Sequence, residues 1–319
     1  MMEHAITQFP KQFAWKPTIA YSQKLRKAKQ YIVLGMGGSH LAADILQALQ
    51  PTVPCHIHQD YGLPVNATKD TLIIASSYSG NTEEVLDGFM QAHAKRLPII
   101  VIAVGGKLIE LAKKMQIPHI ILPNTDIQPR SALGFSLLAL VKIMGTGPVR
   151  TQLKNITDQL DMPAAQRIGT SVARTIRGHV PVIYTSRRNF AISYNWKIKL
   201  NETGKIPAFY NVIPELNHNE MTGFDGSKKA QAFNKYFCAI FISDADDHPR
   251  IQKRMVILKK QYQARGINTT LVPATGQSPL AKILQSLLIA DWCAVEIAKH
   301  YQSEPEQVPM VEEFKKLMA

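Results

Sequence analysis

The sequence is poor in cysteine and lacks any apolar run long enough to cross a membrane. Its three cysteines, Cys55, Cys238 and Cys293, are far apart and lie among apolar residues. This usage excludes a disulfide framework and indicates reduced thiols in a cytoplasmic protein. No secretory signal pattern opens the chain, and no hydrophobic segment reaches the length of a transmembrane helix. We therefore expect a cytoplasmic protein with no membrane partner.

The basic residues lack the interleaved aromatic side chains that are typical of single-strand nucleic-acid binders. The formal net charge is +13, yet the lysines and arginines are spread along the chain. Only short basic clusters occur, at Lys24–Lys29, Arg250–Lys260 and Lys315–Lys316. This distribution predicts no nucleic-acid partner. It indicates a basic surface that attracts phosphorylated metabolites.

Signatures for a metal or a nicotinamide cofactor are also missing. Cys55, His56 and His58 lie on one predicted strand, but no fourth ligand follows at the spacing of a zinc site. The glycine-rich turn Gly35-Met-Gly-Gly-Ser39 has His40 where the dinucleotide motif requires its third glycine. The sequence therefore predicts no metal and no cofactor.

Strand-like and helix-like patterns alternate along the chain. Short apolar runs at 31–34, 72–76 and 97–104 are each followed by a turn and an amphipathic segment, and a second cycle begins at 180–185. Such alternation predicts an α/β fold with mostly parallel sheets flanked by helices. At 319 residues the chain is long enough for two doubly wound domains, which we place at 1–150 and 151–319. Residues 1–29 are expected to wrap the first domain.

The most informative stretch runs from Leu72 to Val85, where an apolar strand passes through small polar residues into a helix. Three hydroxyl groups lie in this turn, at Ser77, Ser79 and Thr82. Gly80 lets the backbone approach a ligand, and Asn81 is expected to cap the helix with Glu84 as its partner. A strand-to-helix turn of this kind binds phosphate, because the first N–H groups of the helix have no partner within the helix. An ordinary capped turn is the alternative reading.

A second polar stretch spans residues 201–224 and contains Glu202, Glu215, His218 and Glu220. A carboxylate and an imidazole that lie together in a cleft can move protons. Surface residues or a capping pair are the alternative reading. On spacing alone, the three glutamates are equally plausible as a base.

Four motifs occur together and in order. They are Gly-Met-Gly-Gly-Ser at 35–39, Ser-Tyr-Ser-Gly-Asn-Thr-Glu-Glu at 77–84, Pro-Arg-Ser at 129–131 and Pro-Glu-Leu-Asn-His-Asn-Glu at 214–220. With these motifs the chain resembles the bifunctional phosphoglucose/phosphomannose isomerases, which are built from two sugar isomerase (SIS) domains. The resemblance covers nearly the whole length. One departure is the segment His40-Leu-Ala-Ala43, which is richer in glycine in the family, so that a side chain is expected at the phosphate turn.

The resemblance implies a role for each matching residue. The residues implied to hold the sugar phosphate are Gly38, Ser39, Ser77, Ser79 and Thr82. Arg130 would stabilise the negative charge of an enediolate, and Glu202 would be the base that moves a proton between C1 and C2. His218 would assist ring opening from the partner subunit of a homodimer with shared active sites. Lys299 matches a lysine that aids ring opening.

These implications predict an isomerase that interconverts glucose 6-phosphate and fructose 6-phosphate, and also mannose 6-phosphate and fructose 6-phosphate. Such chemistry requires an anion site, a carboxylate base, an acid for the ring oxygen and a cation near the oxyanion. The alternative is a non-catalytic regulator of the same fold that binds a sugar phosphate but has no use for Glu202. An aminotransferring SIS enzyme would need an N-terminal nucleophilic cysteine, and Met1-Met-Glu-His supplies none.

Overall fold

The computed structural model describes residues 2–318, in two compact units. The α-helices of the described chain are α1 Met2–Gln8, α2 Leu41–Leu49, α3 Glu83–Ala94, α4 Gly106–Lys114, α5 Leu133–Met144, α6 Gly147–Leu153, α7 Met162–Ile176, α8 Phe190–Glu202, α9 Lys228–Gln231, α10 Pro249–Ala264, α11 Pro279–His300 and α12 Pro309–Met318. The β-strands are β1 Gln30–Leu34, β2 Cys55–His58, β3 Thr71–Ser76, β4 Ile99–Ala103, β5 His119–Ile121, β6 Val180–Ser186, β7 Phe209–Ile213, β8 Phe237–Ser243 and β9 Asn268–Pro273.

The first unit comprises residues 8–157, and the second comprises 158–318 together with 2–7. The prediction that residues 1–29 wrap the first domain is therefore wrong for residues 2–7. Their helix belongs with the second unit, where Glu3 forms an ion pair with Lys299. The boundary between the two units lies between residues 157 and 158. The predicted boundary at residue 150 falls inside α6.

The first unit is built on a five-stranded parallel sheet of order β2-β1-β3-β4-β5. All six residues of β3 are buried, as expected for a central strand that is covered on both faces. Successive side chains of a strand lie on opposite faces, so Ile73 and Ala75 share one face. On that face they pack with Phe89 of α3 and Leu108 of α4 in one hydrophobic cluster.

The second unit contains a four-stranded parallel sheet of order β7-β6-β8-β9. One hydrophobic cluster joins β6 and β8 to α10 and includes Tyr184, Phe241 and Tyr262. Helix α11 packs against α7 and α8 in the same unit. Both sheets follow the predicted α/β pattern, with parallel strands and helices alternating along the chain. Within residues 2–318, none of the helices has the length and apolar character needed to cross a bilayer.

Candidate active site

The order of the first sheet creates a crevice between β1 and β3. The chain leaves β1 towards β2 on one side, while β3 and the later strands lie on the other side. In open α/β sheets, ligands bind beyond the carboxyl ends of the strands at such a topological switch point. Strand β1 ends at Leu34 and β3 ends at Ser76. The first glycine-rich turn and the Ser77–Thr82 loop therefore begin at the two sides of one crevice.

Hydrogen bonds join these two loops. The Ser76 hydroxyl donates to the backbone carbonyl of Ser39 over 2.8 Å, and the backbone N–H of Tyr78 donates to the Ser39 hydroxyl over 2.9 Å. Within the second loop, the hydroxyl oxygens of Ser77 and Thr82 lie 2.8 Å apart. Ser39 and Ser77 are buried, whereas Ser79 is exposed. The structure thus brings the predicted phosphate ligands of both loops to the same crevice.

Gly38 brings a third segment to this crevice. A Cβ atom on Gly38 would lie 2.8 Å from the backbone nitrogen of Arg130 and 2.9 Å from the carbonyl carbon of Pro129. Only glycine permits such a close approach of two backbones. The side chain of Arg130 is buried, with 2% of its surface exposed. Arg130 therefore lies in the segment that packs directly against the first glycine-rich turn.

The tip of the second loop differs from the prediction in two respects. Gly80 has a φ of +74°, and a Cβ there would lie 1.8 Å from the carbonyl oxygen of Gly105, so glycine is required for backbone packing at this point. Asn81 does not cap α3, whose N-cap is Thr82, and the Thr82 side chain makes no capping hydrogen bond to the helix. The Asn81 carboxamide oxygen instead accepts from the backbone N–H of Lys107, in the first turn of α4.

His40 follows the first turn but is buried, with 1% of its surface exposed. Its Nδ1 lies 2.9 Å from a carboxylate oxygen of Asp44, and its Nε2 lies 2.8 Å from the Gln59 carboxamide nitrogen. Burial raises the pKa of Asp44, although the hydrogen bond and the charge of His40 act in the opposite direction. The imidazole is thus held inside the first unit by hydrogen-bonding partners on both of its nitrogens.

Glu202 is the last residue of α8 in the second unit. Two contacts attach this helix to α11: the Trp196 indole donates to the Ser286 hydroxyl over 3.0 Å, and the Lys199 ammonium donates to Asp291 over 2.6 Å. Lys199 is buried and lies one helical turn before Glu202. These contacts fix the backbone position of the predicted base.

Glu215 and Glu220, the other two candidate bases in this stretch, accept hydrogen bonds from nearby side chains. The Tyr184 hydroxyl and the Asn211 carboxamide donate to the two carboxylate oxygens of Glu220, each over 2.6 Å. The carboxylate of Glu215 accepts from the Asn219 side chain over 2.8 Å. His218 lies between these two glutamates and is exposed. Both carboxylate oxygens of Glu220 are therefore engaged by side chains of the neighbouring strands, and the role of Glu202 as the base stays a prediction.

Lys299 lies near the end of α11, with 55% of its side chain exposed. Its ammonium pairs with Glu3 and, over 3.0 Å, with Glu296. The hydrogen bond to Glu3 and the contacts with Glu296 raise the pKa of Lys299 despite some desolvation. Its role in ring opening stays a prediction.

The second sheet has a switch point of its own, between β6 and β8, and this one is occupied by charged side chains. The Ser186 hydroxyl at the end of β6 donates to Asp247 over 2.7 Å. Arg188 donates to Asp244 over 2.6 Å and to Asp247 over 3.2 Å, and Lys282 donates to Asp244 over 2.8 Å. Both aspartates are buried. At the second switch point, the hydroxyl and cationic donors are therefore already hydrogen-bonded to carboxylates of the protein.

Among residues 2–318, no group of three or more His, Cys, Asp or Glu side chains is arranged to hold a metal ion. Cys55, next to the two histidines of β2, is a free cysteine. Burial, together with the nearby charge of Asp44, raises the pKa of its thiol to about 12. Cys55 is therefore protonated at neutral pH and is a poor ligand or nucleophile.

Comparison with known proteins identifies the relatives of this chain. Residues 165–318 match the family model described as bacterial phospho-glucose isomerase C-terminal SIS domain. A bifunctional phosphoglucose/phosphomannose isomerase of Aquifex aeolicus is 30% identical over 313 residues, which cover 96% of this chain and 95% of the relative. The chain belongs to this isomerase family. A D-glucosamine-6-phosphate 4-epimerase of Sulfolobus acidocaldarius is also 30% identical, over 90% of this chain and 88% of the relative.

The fold of the isomerase family extends to more distant structures. The C-terminal domain of glucosamine-fructose-6-phosphate aminotransferase from Francisella tularensis superposes with a TM-score of 0.70 at 13% identity. The match covers 96% of this chain and 98% of that domain. The α/β fold with two SIS-type domains, predicted from the sequence, is confirmed.

Two polar networks were not predicted. The hydrogen bonds from Tyr184 and Asn211 to Glu220 join residues that are 36 and nine positions apart in sequence. Asp244 and Asp247 follow the apolar strand β8 within the run Asp-Ala-Asp-Asp, which was the available signal for the second network. Acidic residues directly after a buried parallel strand lie at the carboxyl edge of its sheet, where a neighbouring strand end can supply their partners.

Proposed function

We propose that this chain is an aldose–ketose isomerase that interconverts glucose 6-phosphate and fructose 6-phosphate, and mannose 6-phosphate and fructose 6-phosphate. The observation that carries the proposal is the similarity to the bifunctional isomerase of Aquifex aeolicus along almost the full length of both chains. The first switch point supports it, because hydroxyl groups from two loops meet there and Arg130 packs beside them. Backbone N–H groups and hydroxyls at a loop-to-helix junction are suited to a phosphate ester.

The proposed reaction moves one proton between neighbouring carbons. In the open-chain aldose, the Glu202 carboxylate removes the C2 proton, and the electron pair forms an enediolate with the carbonyl carbon C1. The hydroxyl proton of O2 passes to O1, and the protonated Glu202 then returns its proton to C1, which leaves the C2 oxygen as the ketone of fructose 6-phosphate. The assigned role of Arg130 is to stabilise the negative oxygen of the enediolate. The proposed phosphate ligands are Gly38, Ser39, Ser77, Ser79 and Thr82.

Ring opening precedes this proton transfer. We assign His218 to the proton exchange at the ring oxygen, with Lys299 as an assisting cation. The exposure of His218 between its two neighbouring glutamates agrees with a role in a site of a partner subunit. The proposed assembly is therefore a homodimer with shared active sites, located in the cytoplasm, where its free cysteines would remain reduced.

A coupled assay on glucose 6-phosphate and mannose 6-phosphate tests the function. Wild-type protein is expected to convert both with and without EDTA, and Glu202→Gln should lower kcat about 10²–10⁴-fold while substrate still binds. Equal kcat in wild type and Glu202→Gln would remove Glu202 as the base. Sugar-phosphate binding with no turnover of any substrate would favour the non-catalytic regulator.

The similarity to the Sulfolobus acidocaldarius enzyme supports a second candidate function, 4-epimerisation of glucosamine 6-phosphate. The same assay series should therefore include that substrate. Turnover of glucosamine 6-phosphate without turnover of the two hexose phosphates would replace the isomerase proposal.

Mixing two variants of strongly reduced activity tests the shared site. Glu202→Gln and His218→Ala protein, mixed and allowed to exchange subunits, should rebuild about a quarter of all sites at random pairing. No recovered activity, with exchange confirmed by a tag, would place both residues in one chain.

A further inference from the structure

The segment that carries His218 consists of two short 3₁₀ turns, Glu215–His218 and Glu220–Phe224, directly after β7. We call residues 215–224 the His218 loop. Leu216 in its first turn is fully buried and belongs to the hydrophobic cluster of the second unit. His218 itself is exposed. The loop is thus attached to the core on the N-terminal side of His218.

Glu220 attaches the loop on the other side of His218. One carboxylate oxygen accepts from the Tyr184 hydroxyl of β6 and the other accepts from the Asn211 carboxamide of β7, each over 2.6 Å. Hydrogen bonds to a charged group are stronger than those between neutral groups. The backbone N–H of Glu220 also donates to the side-chain oxygen of Asn219 over 2.5 Å. Both carboxylate oxygens therefore connect the loop to adjacent strands of the sheet.

The donor on β6 is held firmly. Tyr184 is fully buried, and its ring lies 5.3 Å from the Phe241 ring and 5.9 Å from the Tyr262 ring, measured between centroids. Burial, with smaller effects from Tyr262 and Glu220, raises the pKa of Tyr184 well above its ordinary value. The phenol therefore stays protonated, and its hydroxyl remains a donor to Glu220 across the working pH range.

We propose that Glu220 is a positioning residue, which holds the His218 loop against β6 and β7 so that His218 is fixed between two attachment points. The catalytic consequence of this inference rests on the proposed function, because the Glu220 carboxylate would align His218 for ring opening. The attachment itself is independent of which reaction the protein catalyses. Two separate experiments therefore test the attachment and its consequence.

Hydrogen exchange tests the attachment. In Glu220→Ala, backbone amides of residues 215–224 are expected to exchange at least about tenfold faster than in wild type, because both side-chain hydrogen bonds are lost. Glu215→Ala is the matched control, since it removes an exposed glutamate of the same loop whose carboxylate accepts a hydrogen bond within the loop, from the Asn219 side chain. Its loop should exchange at close to the wild-type rate. Unchanged exchange in Glu220→Ala would overturn the attachment.

Kinetics test the consequence. Glu220→Ala is expected to lower kcat by about 10- to 100-fold with a KM within about threefold of wild type, because a displaced catalytic group loses alignment rather than substrate affinity. Glu220→Gln keeps an acceptor for Asn211 and a polar contact to Tyr184, so it should restore most of the lost kcat. If Glu220→Ala does not fold, Tyr184→Phe removes one of the two bonds and should show a smaller loss of the same kind.

A double-mutant cycle separates positioning from general loss of structure. In a His218→Ala background, Glu220→Ala should cost less than about threefold in kcat, since there is no imidazole left to position. The same cost in both backgrounds would overturn the positioning role. Full activity of His218→Ala would overturn the role assigned to His218 and the catalytic part of this inference with it. A wild-type protein with no isomerase activity would refute the proposed function, while hydrogen exchange would still decide the attachment.

Discussion

The two sheets of this protein present the same switch-point geometry with opposite chemistry. The sheet orders are β2-β1-β3-β4-β5 and β7-β6-β8-β9. In each sheet, the first strand in sequence, β1 or β6, has the next strand in sequence on one side and the later strands on the other. At the first, the strands lead into Gly38, Ser39 and the hydroxyls of the Ser77–Thr82 loop. At the second, they lead into Ser186 and the buried Asp244, whose carboxylate pairs with Arg188 and Lys282.

This difference shows which part of a binding site comes from topology and which from side chains. The crossing order creates a crevice in both sheets. Glycine and uncharged hydroxyls follow the strands at the first crevice, and such groups at a strand-to-helix turn suit an anion. At the second crevice, the carboxylates of Asp244 and Asp247 accept hydrogen bonds from the hydroxyl and cationic side chains that lie there. We therefore expect phosphate to bind at the first switch point alone.

The largest effect is expected from Gly80→Ala at the first switch point. The new Cβ would meet the carbonyl oxygen of Gly105, and the φ of +74° at this residue disfavours any L side chain. Together these effects should lower the free energy of unfolding by about 3–5 kcal/mol. Gly178→Ala is a matched control, because that glycine has a φ of +73° but no atom within 4 Å of an added Cβ. Equal losses in the two variants, measured by urea unfolding, would show that the packing against Gly105 contributes nothing.

The next largest effect should come from Asp244→Ala at the second switch point. The change removes a buried carboxylate from Arg188 and Lys282, and breaking such a pair costs about 3 kcal/mol of stability. Asp246→Ala serves as the control, since its carboxylate also pairs with Lys282 but is 58% exposed and should contribute less than about 1 kcal/mol. The KM for sugar phosphate should stay unchanged in both. A raised KM in Asp244→Ala alone would indicate that substrate uses the second switch point.

A somewhat smaller effect is expected from Ser79→Ala combined with Thr82→Ala. Each lost hydrogen bond to a charged phosphate should weaken binding roughly tenfold, so KM should rise about 100-fold. Ser186→Ala is the comparison variant, because it removes a strand-end hydroxyl from the other switch point. Its KM should match that of wild type. An unchanged KM in the double variant would exclude these two hydroxyls as phosphate ligands.

The smallest effect concerns the pH dependence of stability. Burial raises the pKa of Asp244, but hydrogen bonds from Lys282, the Asp246 backbone and Asn189, with the charge of Arg188, together hold it below its ordinary value. A carboxyl with a lowered pKa in the folded state stabilises the protein above its unfolded pKa of about 4, and this contribution is lost as the pH falls through the folded value. The stability difference between wild type and Asp244→Asn should therefore shrink below about pH 4. A difference that stays constant from neutral pH to pH 3 would contradict this account.

Local sequence patterns predicted the elements that form the first switch point. The apolar runs at β1 and β3 and the amphipathic segment that became α2 are features of neighbouring residues, and the structure forms these elements where predicted. Strand β7, an edge strand, was not predicted, because the apolar run Phe209–Ile213 lies inside the stretch 201–224 that was interpreted as a polar catalytic segment. Helix α10 was recognised only as a basic cluster.

Contacts between distant segments set the limit of such prediction. The pattern near Asn81 is that of a helix cap, yet its side chain bonds to Lys107, 26 residues later. Glu220 and Glu202 are equivalent as bases by spacing, and only the folded sheet shows that Tyr184 and Asn211 engage Glu220. The pairing of residues 2–7 with the second unit likewise depends on long-range packing.

Calorimetric titration with fructose 6-phosphate tests most directly the claim that only the first switch point binds phosphate. Wild type and Ser186→Ala are expected to bind one molecule per chain with the same affinity, and Ser79→Ala combined with Thr82→Ala should bind about 100-fold more weakly. Two molecules bound per chain, or an affinity that falls in Ser186→Ala and not in the double variant, would contradict the account.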